Sequence, residues 1–176
     1  MSAPTVGDNN HVLLRAQPAV RRLLPQPLQR RLQRRAARML RAVGLHDVEL
    51  SVLLAGDETV ADLNETYREK KGTTDVLSFG QAGPDELRHW RRPAGATEPG
   101  LERILGDIVI SLPVVKKRSS RAPAFEADLT DLLAHGVLHL LGHDHPTAPT
   151  RAAMLTLQAG LVAIARARGP VRALQA

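Results

Sequence analysis

Three histidines in the C-terminal part of the chain have the spacing of metal ligands. The run that begins at His135 reads HGVLHLLGHDH. His135 and His139 are four residues apart, so on an α-helix both imidazoles rise from one face and can hold one ion. Gly142 can adopt positive φ and end that helix, after which the chain can turn and bring in a third ligand. This favours His145 as the third ligand, whereas an unbroken helix would favour His143.

Three imidazoles leave one coordination position open, which is typical of a catalytic zinc and not of a structural one. A structural site would be expected to draw on cysteines, and the chain has none. Zinc lowers the pKa of bound water from about 15.7 to roughly 7, so the pattern predicts a metal-dependent hydrolase. In H-E-x-x-H peptidases the residue after the first histidine is a glutamate that acts as general base. Gly136 stands there in this chain, which argues against a peptidase.

The composition favours one globular domain, residues 1–176, with a polyanionic partner. Hydrophobic residues make up 43% of the 176 residues, enough for one core in a chain that is short for two. The net charge is +6, and aromatic residues are only 2%, so we expect nucleic-acid contacts to run through phosphates. The first part of the chain holds a single acid, Asp8, among many arginines: Arg15, Arg21, Arg22, Arg30, Arg31, Arg34, Arg35, Arg38 and Arg41.

The chain has no apolar run long enough to span a bilayer, no signal-like start after Met1 and no cysteine. We therefore expect a cytoplasmic protein with neither a membrane nor a disulfide partner.

Hydrophobic periodicity and turn residues predict short strands interleaved with helices, which is an α/β or α+β arrangement in which a small sheet is covered by helices. We expect residues 1–9 to be loose, 80–100 to form a long loop, and Asp57 or Thr59 to cap the second helix. The expected strands are 11–15, 47–54, 74–79 and 105–111, and the expected helices are 28–43, 56–68, 113–120, 125–141 and 151–168.

Four segments together resemble the YbeY family of ribosomal-RNA maturation endoribonucleases. They are LNxxYR at 63–68, TDVLSF at 74–79, LGDIVIS at 105–111 and HGxLHLLGxDH at 135–145. On its own, Thr74-Asp75 would indicate a turn in which the Asp side chain hydrogen-bonds backbone amides. The chain departs from the family pattern at His143, where Tyr is common, at Lys71-Gly72-Thr73, where Asp and Pro are frequent, and at Gly80, where Pro often stands.

The resemblance implies an α+β fold with a small mixed sheet of about four strands and one zinc ion on a helix and the turn after it. It implies His135, His139 and His145 as zinc ligands and Arg68 as the catalytic arginine. It also implies single-stranded ribosomal RNA as the substrate and the small ribosomal subunit as partner, with roles in 3′ end maturation and ribosome quality control.

The remaining site residues follow from charge alone. Arg34, Arg38, Lys70 and Lys71 are candidate substrate-binding residues, because cations of a basic helix and turn suit an RNA backbone. The general base is left open: Asp144 is near the ligands in sequence, but it has an equally good role in orienting a histidine or capping the turn.

Two alternative functions remain beside the endoribonuclease. One is a zincin-like zinc peptidase or other hydrolase, based on the histidine spacing. The other is a non-catalytic RNA- or ribosome-binding factor in which zinc only holds the fold.

Overall fold

The computed structural model describes residues 10–91 and 103–174, and this part of the chain alternates strands and helices. The predicted loose segment 1–9 lies outside the described residues. The elements are β1 His11–Ala16, a 3-10 helix Pro18–Leu23, α1 Gln26–Ala42, β2 Glu49–Ala55, α2 Asp57–Arg68, β3 Val76–Gly80, α3 Pro84–Trp90, β4 Ile104–Ser111, α4 Leu112–Arg118, α5 Ala124–Leu140 and α6 Ala148–Arg166.

The four strands form one mixed sheet in the order β1-β2-β4-β3. β1, β2 and β4 are parallel, while β3 pairs antiparallel with β4 at the edge. The predicted α+β fold with a small mixed sheet is therefore confirmed. No helix within 10–91 and 103–174 is long and apolar enough to cross a membrane.

One face of the sheet packs on α1 and α5, α6 packs on these two helices, and the main core lies among them. Alternate residues of β2 point into this core, since Leu50, Val52 and Leu54 are buried while the residues before each of them are partly exposed. α5 packs against the sheet, α1 and α6 and is buried on most sides, as its largely apolar sequence requires. The helix that carries two of the candidate ligands is thus the most buried of the described helices.

The opposite face of the sheet is covered only in part. Val60 and Leu63 of α2 pack on Leu53, Leu77 and Val109, which form a small second cluster. Beyond it on the same face, the side chain of Leu13 in β1 stays 42% exposed.

The predicted loop over 80–100 is wrong for its first half, because α3 occupies Pro84–Trp90. Gly83 and Pro84, which predict a loop, instead begin this helix. Pro84 occupies the first turn, where the backbone N–H has no partner within the helix and its absence costs nothing. The Glu86 carboxylate accepts a hydrogen bond from the Gly83 N–H at 2.7 Å and so caps the helix. Residues 92–100 lie outside the described residues.

The predicted cap of α2 is also wrong. Gly56 is the N-cap, and no side chain caps the helix there. Asp57 instead accepts a hydrogen bond from the hydroxyl of Ser111, and the hydroxyl of Thr59 bonds the side chain of Gln17. Both polar side chains tie α2 to neighbouring elements rather than to its own backbone.

α5 approaches β4 so closely that Gly136 has no room for a side chain. A Cβ at this position would lie 2.8 Å from Cδ1 and 3.0 Å from Cγ1 and Cγ2 of Ile108. Gly136 therefore faces the sheet and not the histidine side of the helix. A carboxylate at this position, as in the peptidases, would have no access to the site.

We predict that Gly136→Ala destabilises the protein by about 1–3 kcal/mol through overpacking. This is opposite in sign to the gain of roughly 1 kcal/mol that the substitution gives in an open helix. Denaturant unfolding would measure it. In an Ile108→Val background, which lacks the nearest methyl group, the cost of Gly136→Ala should shrink, and equal costs in both backgrounds would contradict the packing explanation.

Candidate metal centre and adjoining cleft

α5 ends in the way that the sequence predicts. Gly142 has φ +86°, its N–H bonds the carbonyl of His139 at 2.9 Å, and the N–H of His143 bonds the carbonyl of Leu138 at 3.0 Å. These two bonds form a Schellman motif, which reverses the chain after the last turn of the helix. The reversal brings His145 back towards the histidine face of α5.

The structure brings His135, His139 and His145 together. One ligand nitrogen from each lies within 4.8 Å of the others, and the two helical Nε2 atoms are 3.0 Å apart. Nitrogens bound to one tetrahedral zinc at about 2.0–2.1 Å lie roughly 3.4 Å from each other, so small rotations of the rings suffice to bind an ion. The three imidazoles therefore fit a metal ion as donor set and in spacing.

His143, the alternative third ligand, is outside this cluster. Its side chain is half-buried elsewhere, and burial, together with the charge of Arg91, lowers its pKa.

Gln158 of α6 orients the first of the three histidines. Its Oε1 lies 3.1 Å from Nδ1 of His135 and accepts the hydrogen bond, because an amide oxygen has no proton to give. Nδ1 then holds the ring proton, and the lone pair is on Nε2, which points at the other ligands. Gln158 also interacts with the carboxylate of Asp131, whose pKa is raised mainly by burial and lowered in part by this contact.

The environment keeps His139 uncharged. Burial, followed by the charges of His135 and His145, lowers the pKa of His139 to about 4. An imidazole must be neutral to bind a metal, so protons do not compete for His139 at neutral pH.

A cleft of about 510 Å³ opens beside the three histidines, between the end of α2 and β3. Arg68, the last residue of α2, is exposed on this cleft, and its charge contributes to the low pKa of His139. The other lining residues are Tyr67, Thr74, Asp75, Val76, Leu77, Ser78 and Phe79. The cleft therefore joins the predicted metal ligands, the predicted catalytic arginine and the TDVLSF segment.

A buried asparagine holds the chain between α2 and β3. Nδ2 of the Asn64 side chain donates to the backbone carbonyl of Gly72 at 2.9 Å. The backbone carbonyl of Asn64 accepts a hydrogen bond from the N–H of Lys70 at 3.3 Å. Glu69 adopts the left-handed conformation at φ +55°, which ends α2 directly after Arg68. The Asn of the LNxxYR segment thus positions the basic turn that follows it.

Asp75 is held by an ion pair rather than by turn chemistry. Nη1 of Arg118 lies 3.1 Å from Oδ2 of Asp75, and Nε of the same guanidinium lies 2.9 Å from Oδ2 of Asp128 on α5. Arg118 therefore ties the start of β3 to the ligand helix. Sequence reasoning missed this role, since nothing in the α4 sequence distinguishes Arg118 from the lysines beside it.

The four predicted substrate-binding residues fall in different places. Lys70 and Lys71 are exposed in the turn after Arg68, close to the cleft. Arg34 is exposed on α1, beside Arg30. Arg38 uses its guanidinium to donate to the carbonyls of Ile164 at 3.1 Å and Gly169 at 2.8 Å. Substrate binding by the four residues stays a prediction.

Asp144 supports the turn that carries His145. Its Oδ1 accepts a hydrogen bond from the backbone N–H of His145 at 2.7 Å. Its charge also acts on His139, where it partly offsets the lowering of the pKa. Of the roles left open by the sequence, the hydrogen bond matches the capping role.

The fold and the three histidines define an α+β protein with a candidate metal centre beside an open cleft. A family model described as endoribonuclease YbeY matches residues 21–165. The chain belongs to this family.

Three relatives, each called endoribonuclease YbeY, show the extent of the similarity. The protein of Anaeromyxobacter dehalogenans is 42% identical over 145 residues, which are 82% of this chain and 66% of that protein. The protein of Anaeromyxobacter sp. (strain Fw109-5) is 41% identical over 82% of this chain and 72% of its own length. The protein of Thermobifida fusca is 44% identical over 76% of this chain and 83% of its own.

We predict that Gln158→Leu lowers zinc affinity by roughly 10- to 100-fold, because His135 loses the acceptor that fixes its ring and its tautomer. Competition with a chromophoric chelator measures this affinity. Thr156→Leu, an exposed position of the same helix, is the matched control and should bind zinc as the wild type does. Equal zinc affinity in all three proteins would contradict the orienting role, and unchanged thermal unfolding without metal would show that the fold is intact.

Proposed function

We propose that the protein is a zinc-dependent endoribonuclease that cuts single-stranded RNA in the cleft beside the three histidines. The single observation that carries this is the position of Arg68, which faces the same cleft as His135, His139 and His145. A metal centre and a guanidinium on one open cleft suit a phosphodiester better than a peptide. The names of the relatives support the same reaction class.

The three imidazoles would hold the ion at the edge of the cleft. When bound there, zinc supplies a Lewis acid and a water of lowered pKa. Arg68 would hold the scissile phosphate beside the three histidines through two parallel N–H bonds to its oxygens, and its charge would offset the negative charge that grows during attack. Within the cleft lining, the carboxylate of Asp75 is paired with Arg118 and is not free to act as a base.

A more specific proposal concerns the RNA substrate and its place in the cell. We propose the 3′ end of the small-subunit ribosomal RNA as substrate, with the small subunit as partner and a role in ribosome quality control, in the cytoplasm. The family membership and the net charge of +6 support this, since a polyanion as large as the ribosome attracts a basic protein. We further propose that the whole chain 1–176 works as one domain, with Lys70, Lys71 and Arg34 as further phosphate contacts.

We expect purified protein with zinc to cut single-stranded RNA from the small-subunit 3′ end, and a chelator or His139→Ala to abolish cleavage. Gel analysis of labelled RNA would show the products. Casein, under the same conditions, should stay intact. RNA binding that persists without any metal-dependent product would instead support the non-catalytic alternative, and wild-type cleavage by His139→Ala would refute the proposed site.

We expect Arg68→Ala to lower kcat by about 10²–10³, which is the usual cost of removing one donor aimed at transition-state charge. Arg68→Lys should recover only part, because an ammonium keeps the charge but loses the two-pronged contact. The zinc content of both variants should equal that of the wild type. A rise in KM alone, with kcat unchanged, would mean that Arg68 only binds the substrate.

A further inference from the structure

A second groove adjoins the histidine cleft on the uncovered face of the sheet. It has a volume of about 500 Å³, within the range of small-molecule sites. Tyr67 and Phe79 line both the cleft and the groove, so the two adjoin at this pair of rings. The other residues that line the groove include Arg15, Ser51, Leu53, Leu63, Asp107 and Val109.

Strand register explains how the groove is built. Ser51 of β2 lies opposite Asp107 of β4, which lies opposite Phe79 of β3, so the three side chains share one row across the sheet. The next row is formed by Arg15, Leu53 and Val109. α2 covers part of that row with Leu63, and the row with Ser51 and Asp107 is left open.

The groove combines an aromatic wall with one acceptor on its floor. The rings of Tyr67 and Phe79 meet edge to face, 5.1 Å apart at 67°, and the side chain of Tyr67 is 66% exposed. Oδ2 of Asp107 accepts from Nε2 of Gln81 at 2.7 Å, which leaves Oδ1 for a ligand. A flat, aromatic partner with an N–H donor on its edge satisfies both features.

Arg15 gives the groove its charge at the end away from the cleft. It stands on β1, three strand spacings of about 4.8 Å from β3, and is therefore roughly 14 Å from the cleft side of the sheet. A polymer with phosphates at intervals and a base between them matches this order of apolar wall, acceptor and cation.

The geometry points to a subsite in this groove for one nucleobase of an RNA strand whose phosphodiester lies in the histidine cleft. The base beside the cleaved bond stacks against Tyr67, its edge donates to Asp107, and a phosphate further along the strand meets Arg15. The subsite rests on the proposed endoribonuclease function. Because Asp107 is an acceptor, the subsite prefers bases with an exocyclic amino group to uracil, whose N3–H is flanked by two carbonyl oxygens.

The test uses a set of eight-nucleotide RNAs in which each base in turn is replaced by an abasic site. With wild-type protein and zinc, one position next to the cut should raise KM by about tenfold, the usual loss of one stacked base, with kcat within about twofold. Ser51→Trp fills the groove and should raise KM for the intact RNA by a similar factor. In Ser51→Trp, an abasic site at that position should cause no further increase in KM.

Three more variants separate the subsite from a folding defect and test its base preference. Arg15→Glu lies on the exposed edge strand and should raise KM, whereas Arg168→Glu makes the same charge change at an exposed position after α6 and should not. Asp107→Asn should reduce the preference for amino-bearing bases. Cleavage with equal KM at every abasic position, or with unchanged KM in Ser51→Trp and Arg15→Glu, overturns the subsite and leaves the proposed function standing. No cleavage of any RNA by the wild type overturns the function itself.

Discussion

The close contact between α5 and β4 is the constraint on which the site depends. Two glycines lie in this contact: Gly136 on the helix lies against Ile108, and Gly106 on the strand, with φ +144°, lies between the carbonyl of Phe79 on β3 and the side chain of Leu140 on α5. α5 carries His135 and His139 on its other side, and β3, which borders the cleft, is paired to β4. The distance between the histidines and β3 therefore depends on how closely α5 packs against β4. A larger side chain between α5 and β4 would therefore displace the helix that carries His135 and His139, although it would not contact either histidine.

The arginines of α1 divide into structural and available ones. Arg31 and Arg35 both pair with Glu126 of α5, at 2.8 and 2.7 Å, and the hydrogen bond from Arg31 is the main cause of the lowered pKa of Glu126. Arg38 holds the carbonyls at the end of α6. The basic character of this helix thus partly reflects helix packing, because a guanidinium can satisfy buried acceptors while its stem covers apolar surface. A count of arginines in the sequence overstates the charge that is free to meet a polyanion.

The sequence was sufficient to predict the histidine cluster because its geometry is local. Helical spacing and Gly142 fix all three rings within one short segment. The contact between Gln158 and His135 could not be predicted, because Gln158 lies on another helix and an apolar pattern does not indicate which glutamine faces a ligand. The groove was beyond reach for a related reason: Ser51, Asp107 and Phe79 meet only once strand order and register are known. α3 was missed because Gly83-Pro84 is equally compatible with a loop and with the first turn of a helix.

The turn that carries His145 is anchored at both ends. The Schellman motif at Gly142 closes α5, and the side chain of Thr147 accepts from the N–H of Thr150 to begin α6. The chain between them is too short to explore many conformations, so little conformational entropy remains to be lost when an ion arrives. The site is preorganised: its ligands are gathered by folding rather than by the metal. Binding of an ion then requires no helix to form or unfold, only the small ring rotations that bring the three nitrogens to bonding distance.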